Sequence, residues 1–93
     1  MVTALVLMNV QRSAVNETAQ ALAEMQGVSE VYSVAGGYDL VAIVRARDND
    51  ELAAVVTGHM LKLPAIEKTE TLFAFRAHSR HDLERMFSIG LDG

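Results

Sequence analysis

The sequence predicts an α+β sandwich, a four-stranded antiparallel sheet with two helices on one face, in the order strand, helix, strand, strand, helix, strand. Three features of the 93-residue chain lead there. Val2 to Val10 is an apolar run, Gly36-Gly37 separates two β-rich stretches, and Asp48 to Pro64 carries both a helix start and a helix stop.

Val2 to Val10 is broken only by Thr3 and Asn9, the pattern of a strand covered on both faces. Gln11 to Asn16 is polar, and Ser13 or Asn16 is the expected cap of a helix whose apolar positions are Val15, Ala19, Leu22 and Ala23, with Gly27 as its stop. Val28 to Ala35 and Tyr38 to Ala46 are β-branched stretches on either side of Gly36-Gly37, which reads as a hairpin. Asp48 and Glu51 have capping-box spacing, and Leu52, Val55, Val56 and Leu63 mark the buried side of the helix they open. Pro64 holds Leu63 in an extended conformation and so ends that helix. Ile66 to His78 alternates as a last strand. Residues 1–78 form the expected domain. The tail from Ser79 to Gly93 carries Leu83, Met86 and Phe87 at the spacing of one short helix.

Right-handed crossovers turn this order into a ferredoxin-like fold with the first and third strands at the centre of the sheet, and those two are the most apolar. Two helices cover one sheet face only. The strands are apolar on both, with Val6 and Leu7, Val41 and Ala42, and Leu72 and Phe73 pointing opposite ways. The second face therefore calls for a partner, and a second copy's sheet is the usual one.

Composition excludes several classes. Apolar residues are 51% of the chain and charged ones 22%, a globular balance. A net charge of −4 without a Lys or Arg cluster argues against direct nucleic-acid binding. The absence of cysteine rules out disulfides and thiolate metal sites. The first apolar run is too short to span a bilayer and has no basic leader, so the expectation is a cytoplasmic protein without membrane contact.

The segment Val34-Ala35-Gly36-Gly37-Tyr38-Asp39-Leu40 is the most informative. Its plain reading is a turn, since glycines supply positive φ and Asp is common there. A carboxylate at the start of a central strand also needs backbone donors, a cation or a ligand ammonium. This segment, the Leu61-Lys62-Leu63-Pro64-Ala65-Ile66 turn and Thr69-Glu70-Thr71 in the last strand resemble the effector domain of the Lrp/AsnC family of amino-acid-responsive regulators. That domain is also called RAM, for regulation of amino acid metabolism. The resemblance covers Val2 to Arg76 and lacks the helix-turn-helix of full-length members, so the chain is similar to the stand-alone form.

The resemblance implies dimers joined through their sheets, rings of dimers, and an amino acid or related small effector bound between dimers. It also implies modulation of transcription, with full-length regulators of the family as further partners. Carried onto matching positions, the effector site falls on Gly36, Gly37, Tyr38 and Asp39 and on Thr69, Thr71, Leu72 and Phe73. Asp39 suits an ammonium, glycine amides and threonine hydroxyls suit a carboxylate, and Leu72 and Phe73 suit an apolar side chain.

Other candidates are weaker. His78 and His81 with Asp82 read as solvated surface rather than a metal site, His59 as a packed or interface residue, and Met8, Met25, Met60 and Met86 as core filler. No nucleophile and base pair, phosphate loop or paired carboxylates stand out, so neither catalysis nor a cofactor is expected. The competing reading is a small dimeric ferredoxin-like enzyme of the cofactor-free oxygenase or isomerase type, which needs polar groups between sheet and helices where this chain has Ala, Val and Leu. A regulatory domain of the metabolic-enzyme type falls behind because Asn9-Val10-Gln11-Arg12-Ser13 has no ligand-loop glycine.

Overall fold

The computed structural model of the chain describes residues 1–78 and residue 80. Six elements follow in the expected order: β1 (Val2–Val10), α1 (Val15–Ala23), β2 (Val28–Ser33), β3 (Leu40–Ala46), α2 (Asn49–Gly58) and β4 (Ile66–Ala74). Single 3-10 turns at Arg12–Ala14 and Met60–Lys62 adjoin the two helices. The strands form one antiparallel sheet ordered β2-β3-β1-β4, with the two most apolar strands in the middle.

Side-chain alternation divides the sheet into two faces. Ala4, Val6, Met8 and Val10 of β1 and Leu40, Ala42, Val44 and Ala46 of β3 are buried. They pack with Leu22 of α1, Leu52, Val55 and Val56 of α2, and Met60. The alternate residues, Leu5, Leu7, Val41 and Ile43, remain half-buried on the uncovered face. Leu72, paired with Leu5, extends this apolar centre and is 46% exposed. Polar contacts rim it: Glu30 accepts from the Tyr32 hydroxyl and lies 3.8 Å from Arg45, an exposed pair that contributes little stability.

Local sequence sets the element ends. The Asp48 carboxylate accepts from the Glu51 amide at 2.8 Å, so the expected cap forms. The return bond of the box is displaced, because Glu51 Oε2 accepts from the backbone and guanidinium of Arg47 rather than from the Asp48 amide. That guanidinium holds the Glu51 carboxyl below its usual range. Neither Ser13 nor Asn16 caps α1. The 3-10 turn before it, closed by the Ala14 amide on the Gln11 carbonyl, moves the cap position to Ala14, which has no side-chain donor or acceptor. Gly27 follows α1 with φ of 95°, and a Cβ there would lie 2.8 Å from Val55 Cγ2 of α2, so glycine is needed for both conformation and space.

Three strands are shorter than the pattern suggested, each ending where its ladder pairing stops. Ser33 pairs with Leu40, so residues 34–39 form a loop closed by the Val34 amide on the Asp39 carbonyl at 3.0 Å. Ala74 pairs with Thr3 at the start of β1, which leaves residues 75–78 without a ladder. The tail with Leu83, Met86 and Phe87 lies outside the described residues.

Candidate ligand site

The loop after β2 brings Gly36, Gly37, Tyr38 and Asp39 to one end of the sheet. Gly36 has φ of 121°, and a Cβ there would meet nothing within 4 Å, so its glycine serves backbone geometry rather than space. Asp39 Oδ2 accepts from the Val10 amide at 2.9 Å, and the Asp39 amide donates to the Met8 carbonyl at 2.9 Å. The β1–β3 ladder ends at Met8 and Leu40, so the carboxylate takes the place of a missing strand partner for Val10. Among the alternatives open for Asp39, a backbone donor is the one present.

Two residues absent from the expected set complete this end. The Asn9 side-chain amide donates to the Gly37 carbonyl at 2.9 Å. The Tyr38 hydroxyl donates to the Glu70 carboxylate, which ties the loop to β4 across β1 and raises the phenol above its ordinary pKa. The break that Asn9 makes in an apolar run was a visible signal. Glu70 sits inside the Thr69-Glu70-Thr71 stretch, but its partner lies 32 residues earlier.

The eight expected residues do not form one cluster within a chain. Thr69 opposes Met8 and so adjoins the loop, whereas Phe73 opposes Ala4 near the far end of β1. Val10, which Asp39 holds, and Ala4, which Phe73 faces, are six residues apart, about 20 Å along a strand. The faces also differ. Thr69, Thr71 and Phe73 are in register with the buried side of β1, while Leu72 is in register with Leu5 on the uncovered side.

Thr71 and Phe73 line a cavity of about 730 Å³ between β4 and α2, with Thr57, Leu52, Val56 and Phe75 among its other walls. That is the size of a small-molecule pocket. It exists because α1 packs on β2 and β3 and α2 packs on β3 and β1, leaving the inner side of β4 largely uncovered. Nothing in the residue pattern of β4 alone marks it.

The space between the helices and the central strands is filled by apolar side chains, and Thr18 is the one buried polar residue among those described. No group of three or more His, Asp or Glu side chains suited to a metal occurs among the described residues. His78 is exposed, and the exposed His59 places ring Nδ1 3.2 Å from the Ala54 carbonyl. No described helix is long and apolar enough to cross a membrane.

A solid core, a polar loop at one sheet end and an open cavity at the other define a small binding domain. The chain belongs to the Lrp/AsnC family: the family profile described as the Lrp/AsnC ligand binding domain matches residues 3–83. The crystal structure of TTHA0845 from Thermus thermophilus is 51% identical with a TM-score of 0.80, and the match covers 86% of this chain and 100% of that one. The HTH-type transcriptional regulator FL11 of Pyrococcus abyssi is 30% identical over 77 residues, 81% of this chain and 49% of that protein. This chain thus spans about half the length, or less, of the curated relatives it matches. A transcriptional regulator from Neisseria meningitidis, solved as a complex with L-Met, has the same fold with a TM-score of 0.74 at 13% identity, over 85% of this chain and 54% of that one.

Proposed function

We propose that this chain acts as a stand-alone effector domain: it binds an amino acid or related metabolite between copies of itself and thereby modulates transcription, with no catalytic step. The full coverage of the Thermus thermophilus chain supports the stand-alone form. The L-Met complex of the Neisseria meningitidis regulator supports an amino acid as the ligand class. The solid apolar interior speaks against a substrate pocket between sheet and helices. Cytoplasmic sheet-to-sheet dimers, assembled further into rings, fit the apolar centre of the uncovered face. Full-length regulators of the same family are the partners through which the signal reaches a promoter.

One observation supports a binding site between copies: the loop from Gly36 to Asp39 lies at one end of one chain's sheet and Phe73 near the other, with Thr71 opposite the middle of β1. A ligand far shorter than that separation touches both groups only where two copies meet. One copy supplies the loop, with Asp39 Oδ1 toward the ammonium, glycine amides toward the carboxylate and Thr69 beside them. The neighbour supplies Thr71, Leu72 and Phe73 around the side chain. Native mass spectrometry of the protein with an equimolar pool of the common amino acids tests this. The expected result is an even-numbered oligomer that retains one amino acid selectively. A monomer, or an oligomer that retains none, overturns the reading.

A further inference from the structure

The loop between β2 and β3 has few packing contacts to hold it. Residues 34–37 are exposed, and Gly36 and Gly37 leave its backbone more conformations than other residues would. Its base is closed in the plane of the sheet, by the Val34 amide on the Asp39 carbonyl and by Asp39 on Met8 and Val10. Its tip is held by two side chains instead: Asn9 donates to the Gly37 carbonyl at 2.9 Å, and the Tyr38 hydroxyl donates to Glu70. These two ties share a face. Asn9 opposes Lys68 and Glu70 opposes Leu7, both out of step with the buried Met8, so both side chains stand on the uncovered side of the sheet. To reach Glu70 the Tyr38 side chain crosses β1 there, at the margin of the apolar centre made by Leu5, Leu7, Val41, Ile43 and Leu72, and it is half-buried although the loop residues before it are exposed. On the other edge of the same face Tyr32 donates to Glu30, but that pair lies within one strand and joins no separate elements.

We propose that Glu70 is a positioning residue of the ligand loop: through Tyr38 it latches the loop across β1, and a second copy that covers the sheet face tightens the latch. The coupling rests on the reading above of the uncovered face as a contact between copies. In a lone chain both partners of the latch are exposed to water, so opening exchanges one hydrogen bond for others at little cost. A second sheet laid on this face excludes that water. A carboxylate left there without a donor is then expensive, and the charge-assisted bond from the phenol is roughly twice as strong as a neutral one, so the loop resists opening. The latched ring also adds aromatic surface to the apolar patch that the second copy covers. The coupling is reciprocal: covering the face steadies the loop, and whatever steadies the loop, a ligand on Gly36 to Asp39 included, favours the covered face.

Hydrogen exchange of the whole chain, without any ligand and read by mass spectrometry on peptides covering residues 34–39, tests both halves. Glu70→Ala is expected to exchange severalfold faster there than the parent while β1 and β3 are unchanged, and Glu70→Gln, which keeps a neutral acceptor, should fall between. Tyr38→Phe should match Glu70→Ala, and the double variant should be no faster than either, because both remove the same bond. In an absorbance titration Glu70→Ala should bring one of the two tyrosines down toward the ordinary phenol range, a signature that a general loss of stability does not produce. Ile43→Lys, with Tyr38 and Glu70 intact, should exchange in the loop as fast as Glu70→Ala. Unchanged loop exchange in Glu70→Ala, effects of Glu70→Ala and Tyr38→Phe that add, or an unshifted phenol overturns the latch. A monomeric Ile43→Lys whose loop exchanges like the parent's overturns the coupling alone. An Ile43→Lys chain that keeps the parent's mass overturns the reading of the face, and the coupling with it, so the two failures are told apart by light scattering on the same sample.

Discussion

Asp39→Asn separates two roles that the geometry gives to one carboxylate. Oδ2 accepts from the Val10 amide at 2.9 Å at a half-buried position, a charge-assisted bond that closes the open end of β1. Asparagine retains an acceptor of the same shape but not the charge. Hydrogen bonds to charged groups contribute about 1.5–3 kcal/mol against about 0.5–1.5 for neutral ones, so the bracing loss is about 1 kcal/mol. For a domain of this size that corresponds to a drop of about 4–8 °C in melting temperature. If Oδ1 also receives a ligand ammonium, the same change weakens the dissociation constant by about one to two powers of ten. Differential scanning calorimetry and isothermal titration on one preparation read the two separately. A lower melting temperature with unchanged affinity would refute the ligand role and leave Asp39 as a brace. Lower affinity with unchanged melting would refute the brace.

Ile43→Lys places an ammonium in the apolar centre of the uncovered face, and light scattering is expected to show monomer at concentrations where the parent is at least dimeric; an unchanged mass removes the sheet from the interface. Gly27→Ala meets both a positive φ and the Val55 methyl, so its loss of about 2 kcal/mol or more by denaturant unfolding should exceed that of Gly36→Ala, where only the backbone is strained. Glu51→Gln tests the cap of α2 by pH. The folded Glu51 carboxyl is depressed by the hydrogen bond from Arg47, so its contribution is present above the ordinary carboxylate range and is lost as pH falls through the depressed value. Parent and variant melting curves should therefore differ near neutral pH and converge in acid, and a gap that persists in acid would assign the effect to something other than this pair.

The parts of the fold legible in sequence are those set by short-range rules. β1 has the bounds its apolar run implies, Asp48 caps α2 at the expected spacing, and the order of strands follows from crossover handedness. The misplaced ends share one cause. Ser33, Leu40 and Ala74 are the last residues of their strands to find a ladder partner, a fact about pairing that local β-propensity does not contain. The α1 cap failed similarly, since an added 3-10 turn shifted the register of the helix start. At the site, Asp39 was legible as a carboxylate in need of a donor, but its partner is 29 residues away in sequence, as remote as Glu70 is from Tyr38. The cavity was invisible because it results from where two helices do not pack.

The same geometry explains why a domain this small would work as an assembly. Its core is complete without a partner, since the helices and the inner faces of β1 and β3 bury one another. What is left incomplete lies elsewhere: an apolar sheet face, an uncovered inner side of β4, and a polar loop about 20 Å along the strand from the Phe73 ring with which the resemblance pairs it. A ligand bound inside one chain would have to be sensed through that packed core, which has little freedom to rearrange. A ligand bound between chains alters the association equilibrium directly, because its binding free energy is available only to the assembled form. On the proposed effector reading, ligand binding would shift the population of oligomers without a conformational change in the subunit, and the dependence of oligomer size on amino-acid concentration would be the signal a partner regulator reads.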